Sequence, residues 1–577
     1  MFEKLNRIER IVFDLMAMFL VLFYSYSAVV APAATEYHRG IYVIVTYVLV
    51  FLLYQSKTKL GRLMDYLLIV LSIITIGYWI QNFEAINYRA GAETTLDKGI
   101  AMVGVLIGIE LARRVVGTVF VIIGAIMLLY GVYGDYAPEM FSHAGDTFPD
   151  LCTSIFYKSD GVFGIMANVL ATYIVLFVIF GAFLEKSGAQ RFFIDFPLAA
   201  VGHKIGGPGK VSVIASGLFG SISGSAIANT VSTGAFTIPM MKKAGFKPHV
   251  AGGIEPAASI GGMFMPPIMG AGGFIMAELT GVPYSQIMLV AVFPALMYFF
   301  SVFMMVHYEA KKHNIVGERS KESAMVILRR EWFYILPLVA ITIFMLAGYS
   351  PGYSAILGVL TCIAVSWVRA DTRIGPKRFL EGARAGAESS LKIGATVGVI
   401  GIIIGVLTYS GLILTFADIV IELADGRLFL TILLIALASL VLGMGVPVTA
   451  AYLITAVVAV PALTHLGVNE IAAHMIVYWL SQDSNITPPV CIAAFAGATI
   501  AKANMWKTAF TAFKFAKFLY LGPFLFGYVP AFSLDGSSTD ILVAFVLIFF
   551  GTWAYSWLLS GIWMSWFKKG EAKQAAK

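Results

Sequence analysis

Runs of about twenty apolar residues recur along the chain between short polar loops, and each is long enough to cross bilayer hydrocarbon as one helix. They lie near 11–31, 41–54, 65–81, 96–112, 115–134 and 162–184, and again near 286–308, 332–348, 352–368, 393–412, 508–532 and 540–563. Short cytoplasmic loops are rich in Lys and Arg. That rule puts Lys57, Lys59 and Arg62, then Arg113-Arg114, then Lys186, Arg191, Lys204 and Lys210 inside, with Lys311, Lys312, Arg319, Lys321 and Arg369, Arg373, Lys377, Arg378 further on. Segment 135–160 carries Asp135, Glu139, Asp146 and Asp150 against one base, Lys158, and belongs outside.

Two apolar stretches break this alternation. Stretch 211–241 starts after Lys210 and ends at Lys242, Lys243 and Lys247, so both ends read as cytoplasmic, and its middle is interrupted by Ser221-Ile-Ser-Gly-Ser225. Two half-length helices meeting at a polar tip predict a re-entrant hairpin. Stretch 428–464 is interrupted in the same way but flanked by Asp425, Arg427 and Glu470, which suit the outside. Behind each hairpin follows a helix broken by a Pro-Pro pair, near 250–278 and near 472–500. Ser187-Gly188 and Gly220 recur 223 residues later as Ser410-Gly411 and Gly443; Pro239 and Pro266-Pro267 recur 222 residues later as Pro461 and Pro488-Pro489. Threaded from opposite faces, the copies form an inverted repeat, and paired broken helices are the sequence pointer to a transporter site at the bilayer midplane. The expected fold is an all-α integral membrane protein: a polytopic helical bundle of about 14 crossings, with two re-entrant hairpins and two broken helices.

Composition agrees. Only 13% of residues are charged and 59% are hydrophobic, where soluble domains carry roughly 25% charged residues. The net charge of +7 is spread over loops between spans, so topology explains it without nucleic acid. Cys152, Cys362 and Cys491 have neither disulfide nor metal spacing and read as packing residues. Lys4, Arg7 and Arg10 before an apolar run resemble a signal peptide, but the run to about Val30 is long, and an uncleaved first span keeps the charge pattern consistent. The tail from Lys568-Lys569 to Lys577 would be cytoplasmic, as would the N-terminus. Segments 316–331 and 375–392 are amphipathic and predict arms along the cytoplasmic interface.

Unwinding a helix in hydrocarbon strands backbone groups unless an ion, a cavity or neighbouring protein satisfies them. Ser221, Ser223, Gly224 and Ser225, with Gly261, Gly262, Met265 and Pro266, therefore read as one cation cage, to which Asn229 and Thr230 could add oxygens. The second cage is Gly443, Gly445, Val446 and Thr449 with Ser484, Asn485 and Thr487. A substrate carboxylate between them would meet Ser223, Ser225, Asn229, Thr449, Asn485 and Thr487. The plain alternative is that each Gly or Pro only kinks a helix for packing. Asp483 could neutralise a cation or cap its half-helix, while Glu255, Glu278, Glu110 and His474 read as structural. Gly206-Gly207-Pro208-Gly209-Lys210 is followed by Val211 and lacks the phosphate-loop spacing, so no nucleotide is expected. With no hydrolase motif, the chain reads as a non-enzyme driven by an ion gradient or a partner.

The stretches Phe180-Gly-Ala-Phe-Leu-Glu-Lys-Ser-Gly188, Ser216-Gly-Leu-Phe-Gly-Ser-Ile-Ser-Gly-Ser-Ala226 and Ile238-Pro-Met-Met-Lys-Lys-Ala-Gly245 resemble the large membrane subunit of tripartite ATP-independent periplasmic (TRAP) transporters. Met265-Pro-Pro267 and Ile486-Thr-Pro-Pro489 resemble its broken-helix signatures. Residues 1–135, with Leu111-Ala-Arg-Arg-Val-Val-Gly117, are similar to the small membrane subunit, fused as in the TAXI subclass. The resemblance implies an elevator-type carrier in a bacterial or archaeal cytoplasmic membrane. It would use sodium at about two sites (protons in some members) and take an organic acid (a dicarboxylate, keto acid or amino acid) from a separate periplasmic binding protein. Its parts would be 1–135 as scaffold, 136–160 as periplasmic connector, 161–350 as first repeat and 351–577 as second repeat with an interface arm. A monomer is expected, with an oligomer as the alternative. A stand-alone ion/carboxylate symporter and a subunit of a proton-pumping complex are the other readings. The acidic segment 135–160 is a weakly marked docking surface for the partner. Substrate, coupling ion and stoichiometry stay open.

Overall fold

The computed structural model describes residues 2–563, and the basic tail beyond Lys568 lies outside the described residues. Helices make up the fold, and no β-strand occurs among the described residues. Nine of these helices are long and apolar enough to cross a membrane, and four more are apolar but shorter.

The chain opens with α1 (Arg7–Val29), α2 (Thr35–Leu53), α3 (Lys59–Gln81), α4 (Thr95–Val115) and α5 (Thr118–Val132). Two of them start where the sequence supplies a capping box. Asn6 and Glu9 cap each other's backbone at α1, and Thr94 and Asp97 do so at α4. The segment expected as a connector, 136–160, contains a helix, α6 (Phe148–Tyr157). Its Leu151, Cys152, Ile155 and Phe156 are buried, and the Phe156 ring fills the space beside Gly104 of α4, where any Cβ would collide. Apolar residues at helical spacing outweigh the acidic ones that flag this segment as loop.

A long helix, α7 (Ile165–Lys186), loosens into one π turn at Leu170–Ile174. Next come the first hairpin, α8 (Gly207–Ser223) and α9 (Ala226–Lys243), and the first broken helix, α10 (Pro248–Gly261) and α11 (Gly270–Thr280). They are followed by α12 (Tyr284–His313). The segment 375–392 is α13 (Pro376–Gly394), continued after a short break by α14 (Val397–Ser410). It is a firmly packed helix. Gly382 and Gly386 let it press against Phe183 and Ile179 of α7, and Arg384 grips Asp14 of α1 with two 2.8 Å hydrogen bonds. The other expected arm, 316–331, is helical only over Ala324–Glu331.

The second copy comprises the hairpin α15 (Leu428–Leu442) and α16 (Val448–His465), and the broken helix α17 (Glu470–Ser481) and α18 (Ile492–Ala501). After these come α19 (Met505–Phe515), α20 (Phe518–Tyr528) and α21 (Ser538–Ser560). The copies interlock: α18 packs on α9 and α10 of the first copy, while α11 packs on α16 and α17 of the second. The N-terminal helices pack on α7, α13 and α14. A polar link ties them to the interlocked copies. Arg39 of α2 donates to Asn168 of α7 at 3.1 Å, and Asn168 donates to Glu278 of α11 at 2.8 Å.

Candidate functional site

Each hairpin turns where the sequence is poor in side chains. Gly224 ends α8 with a left-handed φ of 62°, a conformation glycine adopts without penalty, and the Ser225 hydroxyl caps α9 by accepting from Ala228 N–H. The equivalent turn, 443–447, ends at Pro447, whose fixed φ suits the position just before α16.

Each tip lies against the broken helix of its own copy. A Cβ on Gly262 would stand 2.4 Å from Gly220 Cα, so only glycine lets α8 and α10 touch at this depth. The repeat-equivalent contact is Gly443 with Ser484, where a Cβ would stand 2.4 Å from the serine Cβ. Both Pro-Pro bonds are cis. Met269 and Cys491, 222 residues apart, both hold left-handed φ values (57° and 50°) at the start of the second half-helix. Gly188 (φ 89°) and Gly411 (φ 69°) turn matching corners. The duplication read from the letters is therefore a duplication of backbone conformation.

The first break is stitched by aromatics. The Tyr478 hydroxyl, from the second broken helix, lies 2.7 Å from Met263 O and also reaches Met269 O. Tyr284 reaches Pro267 O at 2.9 Å and Ile268 O at 2.6 Å. Carbonyls freed by unwinding thus find protein partners, as hydrocarbon demands. In the second break Thr487 pairs with Tyr520 at 2.5 Å. Among the described residues, the Asp483 Oδ1 atom and both amide atoms of Gln482 are buried without a hydrogen-bond partner.

Both tips face a cavity of about 690 Å³. Its far wall comes from Tyr54, Val115 and Val116 of the N-terminal helices, Gly181, Ala182 and Glu185 of α7, and Ser389 and Lys392 of α13. Where the cavity ends, the second tip leans on the N-terminal helices: a Cβ on Gly445 would fall 2.1 Å from the Val119 side chain of α5.

Residues 103–532 match the family described as the tripartite ATP-independent periplasmic transporter, DctM component. The chain belongs to this family. A DctM-family chain is a multi-pass component of an inner-membrane transporter, which accords with the helices above. Relatives include a putative TRAP transporter large permease protein of Haemophilus influenzae, 26% identical over 55% of this chain and 74% of its own. The 2,3-diketo-L-gulonate TRAP transporter large permease of Escherichia coli is 24% identical over 62% of this chain and 84% of its own. The C4-dicarboxylate TRAP transporter large permease of Pseudomonas aeruginosa is 25% identical over 63% and 84%. The solved structure of the YdaH transporter of Alcanivorax borkumensis aligns at a TM-score of 0.48 and 15% identity, over 78% of this chain and 98% of that one.

The DctM-family chain brings Ser223, Gly224, Ser225, Gly443, Gly445, Val446, Thr449 and Asn485 together on the cavity wall. The rest sit behind that wall. Ser221 bonds back to Leu218 O, Asn229 holds Ser216 O at 2.9 Å, and Thr487 is taken by Tyr520. Gly261 lies under Tyr298 and Phe299, Gly262 under Gly220, and Ser484 against Gly443. Met265 and Pro266 are half-buried in the turn of the first break. The Thr230 hydroxyl is buried without a partner among the described residues. His474 meets Tyr452 at 3.0 Å, as a packed histidine should.

One cluster carries more than the sequence reading gave it. Glu255 on α10 is fully buried and is reached by the hydroxyls of Ser212 and Ser216 on α8 and of Thr233 and Thr237 on α9. One carboxylate therefore joins both hairpin arms to the broken helix. The signal was present as two i,i+4 hydroxyl pairs opposite an intramembrane acid. For Tyr478 and Tyr284 no such local signal exists, because their partners lie 209 and 16 residues away in sequence.

Proposed function

We propose that this chain imports an organic acid anion as a sodium-coupled secondary transporter, receiving its substrate from a separate periplasmic binding protein. The observation that carries the reading is the 690 Å³ cavity, walled on one side by two repeat-related hairpin tips and on the other by α7, α13 and the N-terminal helices. A site shared between a duplicated, interlocked body and a separate wall suits alternating access, with the body sliding and the wall fixed. The hairpins would then be re-entrant and the two copies inverted, as their flanking charges suggest. The relatives' substrates named above, diketogulonate and C4-dicarboxylates, are carboxylic acids, and they support an organic acid here. Residues 1–135 would serve as the fused small subunit, as in the TAXI type.

The second break fits a small hard cation better than the first. There, Asp483 Oδ1 and Gln482 Oε1 are orphaned oxygens next in sequence to Ser484, which lies against Gly443, and Gln482 and Asn485 line the cavity with the Gly443–Thr449 turn. In the first break the carbonyls already accept from tyrosines. Ser223, Ser225, Thr449 and Asn485 would offer hydroxyl, amide and N–H donors to the carboxylate. The ion would supply charge that lets an anion stay bound away from water.

Proteoliposomes test this. Uptake of the cognate anion should require an inward sodium gradient and the loaded binding protein, with no response to ATP. Uptake without sodium would remove the cation assignment, and uptake without the binding protein would replace the reading with a stand-alone symporter.

A further inference from the structure

A second concavity, of about 370 Å³, lies where the N-terminal helices end on their basic side. Three separate parts of the chain build it. Lys4 comes from the turn before α1, Leu53 to Lys57 from the end of α2 and its loop, and Arg113 and Arg114 from the last turn of α4. Topology accounts for basic residues in these loops, but not for four of them converging on one hollow.

The neighbouring acids hold the two arginines from outside the lining. Glu110 accepts from Arg113 at 2.7 and 3.0 Å and from Arg114 at 2.7 Å. Asp65 accepts from Arg114 at 2.5 Å, and from Ser56 N–H and hydroxyl at 2.9 and 2.8 Å. Glu9 is taken by Arg62, Tyr66 and Gln55. None of Glu9, Asp65 or Glu110 lines the hollow. The loop and both guanidinium groups are thus held in place before any ligand arrives. Lys4 and Lys57 are exposed and make no ion pair among the described residues. An anion entering would meet two guanidinium groups already fixed by carboxylates, with their remaining N–H groups, and two uncommitted ammonium groups.

Beside the hollow runs an apolar track. From Lys59 onward α3 exposes Leu60, Leu63, Met64, Leu67 and Val70, and α1 exposes Ile8, Ile11 and Leu15. Their three- and four-residue spacing makes continuous stripes along both helices.

We propose that this hollow seats the headgroup of an anionic phospholipid, its phosphate among Lys4, Lys57, Arg113 and Arg114 and its acyl chains along the α1 and α3 stripes. The stripes favour a lipid over free phosphate. Basic pockets at the cytoplasmic ends of membrane helices suit such headgroups. Tyr54 forms part of the walls of both this hollow and the transport cavity, and Arg114 directly precedes Val115 of that cavity. A seated lipid therefore stands against the scaffold wall of the carrier, and anionic lipid should raise the uptake rate.

Native mass spectrometry of the full-length protein, with phosphatidylglycerol and phosphatidylcholine as probes, tests the site. Wild type should retain phosphatidylglycerol preferentially, and Lys4→Gln/Lys57→Gln should retain it about thirtyfold less tightly, as the loss of two charges at an anionic surface predicts. Lys158→Gln, an exposed base of the α6 region, should change nothing. An unchanged thermal melt would show that the double variant is folded. Equal retention of the two lipids, or no effect of the double substitution, would overturn the proposal. Displacement of the lipid by millimolar inorganic phosphate would reassign the hollow to a soluble anion.

Discussion

Glu255 and Tyr478 each hold several strands of the site by one functional group. Glu255→Ala would leave four hydroxyls facing an empty space between α8, α9 and α10. A buried partner lost in this way costs about 3 kcal/mol or more, so the melting temperature of the purified protein should fall clearly, with Glu255→Gln less severe. Tyr478→Phe keeps the ring that packs beside Gly272 but removes the donor to Met263 O and Met269 O. It should cost about 1–3 kcal/mol and slow uptake, because it loosens the break without unfolding the helices. Of these two residues, the sequence showed Glu255 as an acid in a span but not its four partners, which are legible only once α8 and α9 are paired. Tyr478 looked like any tyrosine in a helix. Asn485, Thr449 and the serine tip were legible because polar residues inside an apolar run announce themselves.

Between helices, contact depth is set by glycine at two repeat-equivalent points. Gly262→Ala would drive a methyl into the Gly220 backbone, and Gly443→Ala would drive one into Ser484. The Gly220 backbone cannot step aside, and the short Ser484 side chain has its Cβ fixed to the chain, so each change should cost about 1–3 kcal/mol and abolish most uptake. Gly77→Ala, within α3 and with open space around it, should be neutral or slightly stabilising in the same assays. Spans were readable from apolar runs, and the predicted helices near 11–31, 41–54 and 162–184 are α1, α2 and α7. The helices Ala189–Val201 and Leu412–Leu423 were not foreseen. They follow the Ser-Gly landmarks, which were recognised as matching positions but are in fact left-handed corners between two helices. Helix α6 was hidden by its acids, whereas α13 was read as an amphipathic arm without the surface it packs on. In each case the deciding partner, Gly104 or the Ile179–Phe183 stretch, lies in another part of the chain.

If the interlocked body slides along the wall formed by α7, α13 and the N-terminal helices, tying the two together should stop transport. Val119 and Gly445 offer the place, because their side-chain positions nearly coincide and cysteines there can come within bonding range. Val119→Cys/Gly445→Cys should form a disulfide under oxidation and lose uptake, with activity returning on reduction. Cys152, Cys362 and Cys491 are all buried and should not interfere. Undiminished uptake by the cross-linked protein would mean that this contact is not one that moves. On the opposite side of that boundary, Arg39 and Glu278 never touch; Asn168 stands between them and bonds to each. If α11 leaves this pose, the link from Asn168 to the carboxylate, worth about 1.5–3 kcal/mol, breaks together with the Phe274 stacks on Tyr173 and Phe177, while the guanidinium stays attached to its amide neighbour. Such a fastening would bias the body toward this pose, and shortening Asn168 to alanine should make the pose rarer.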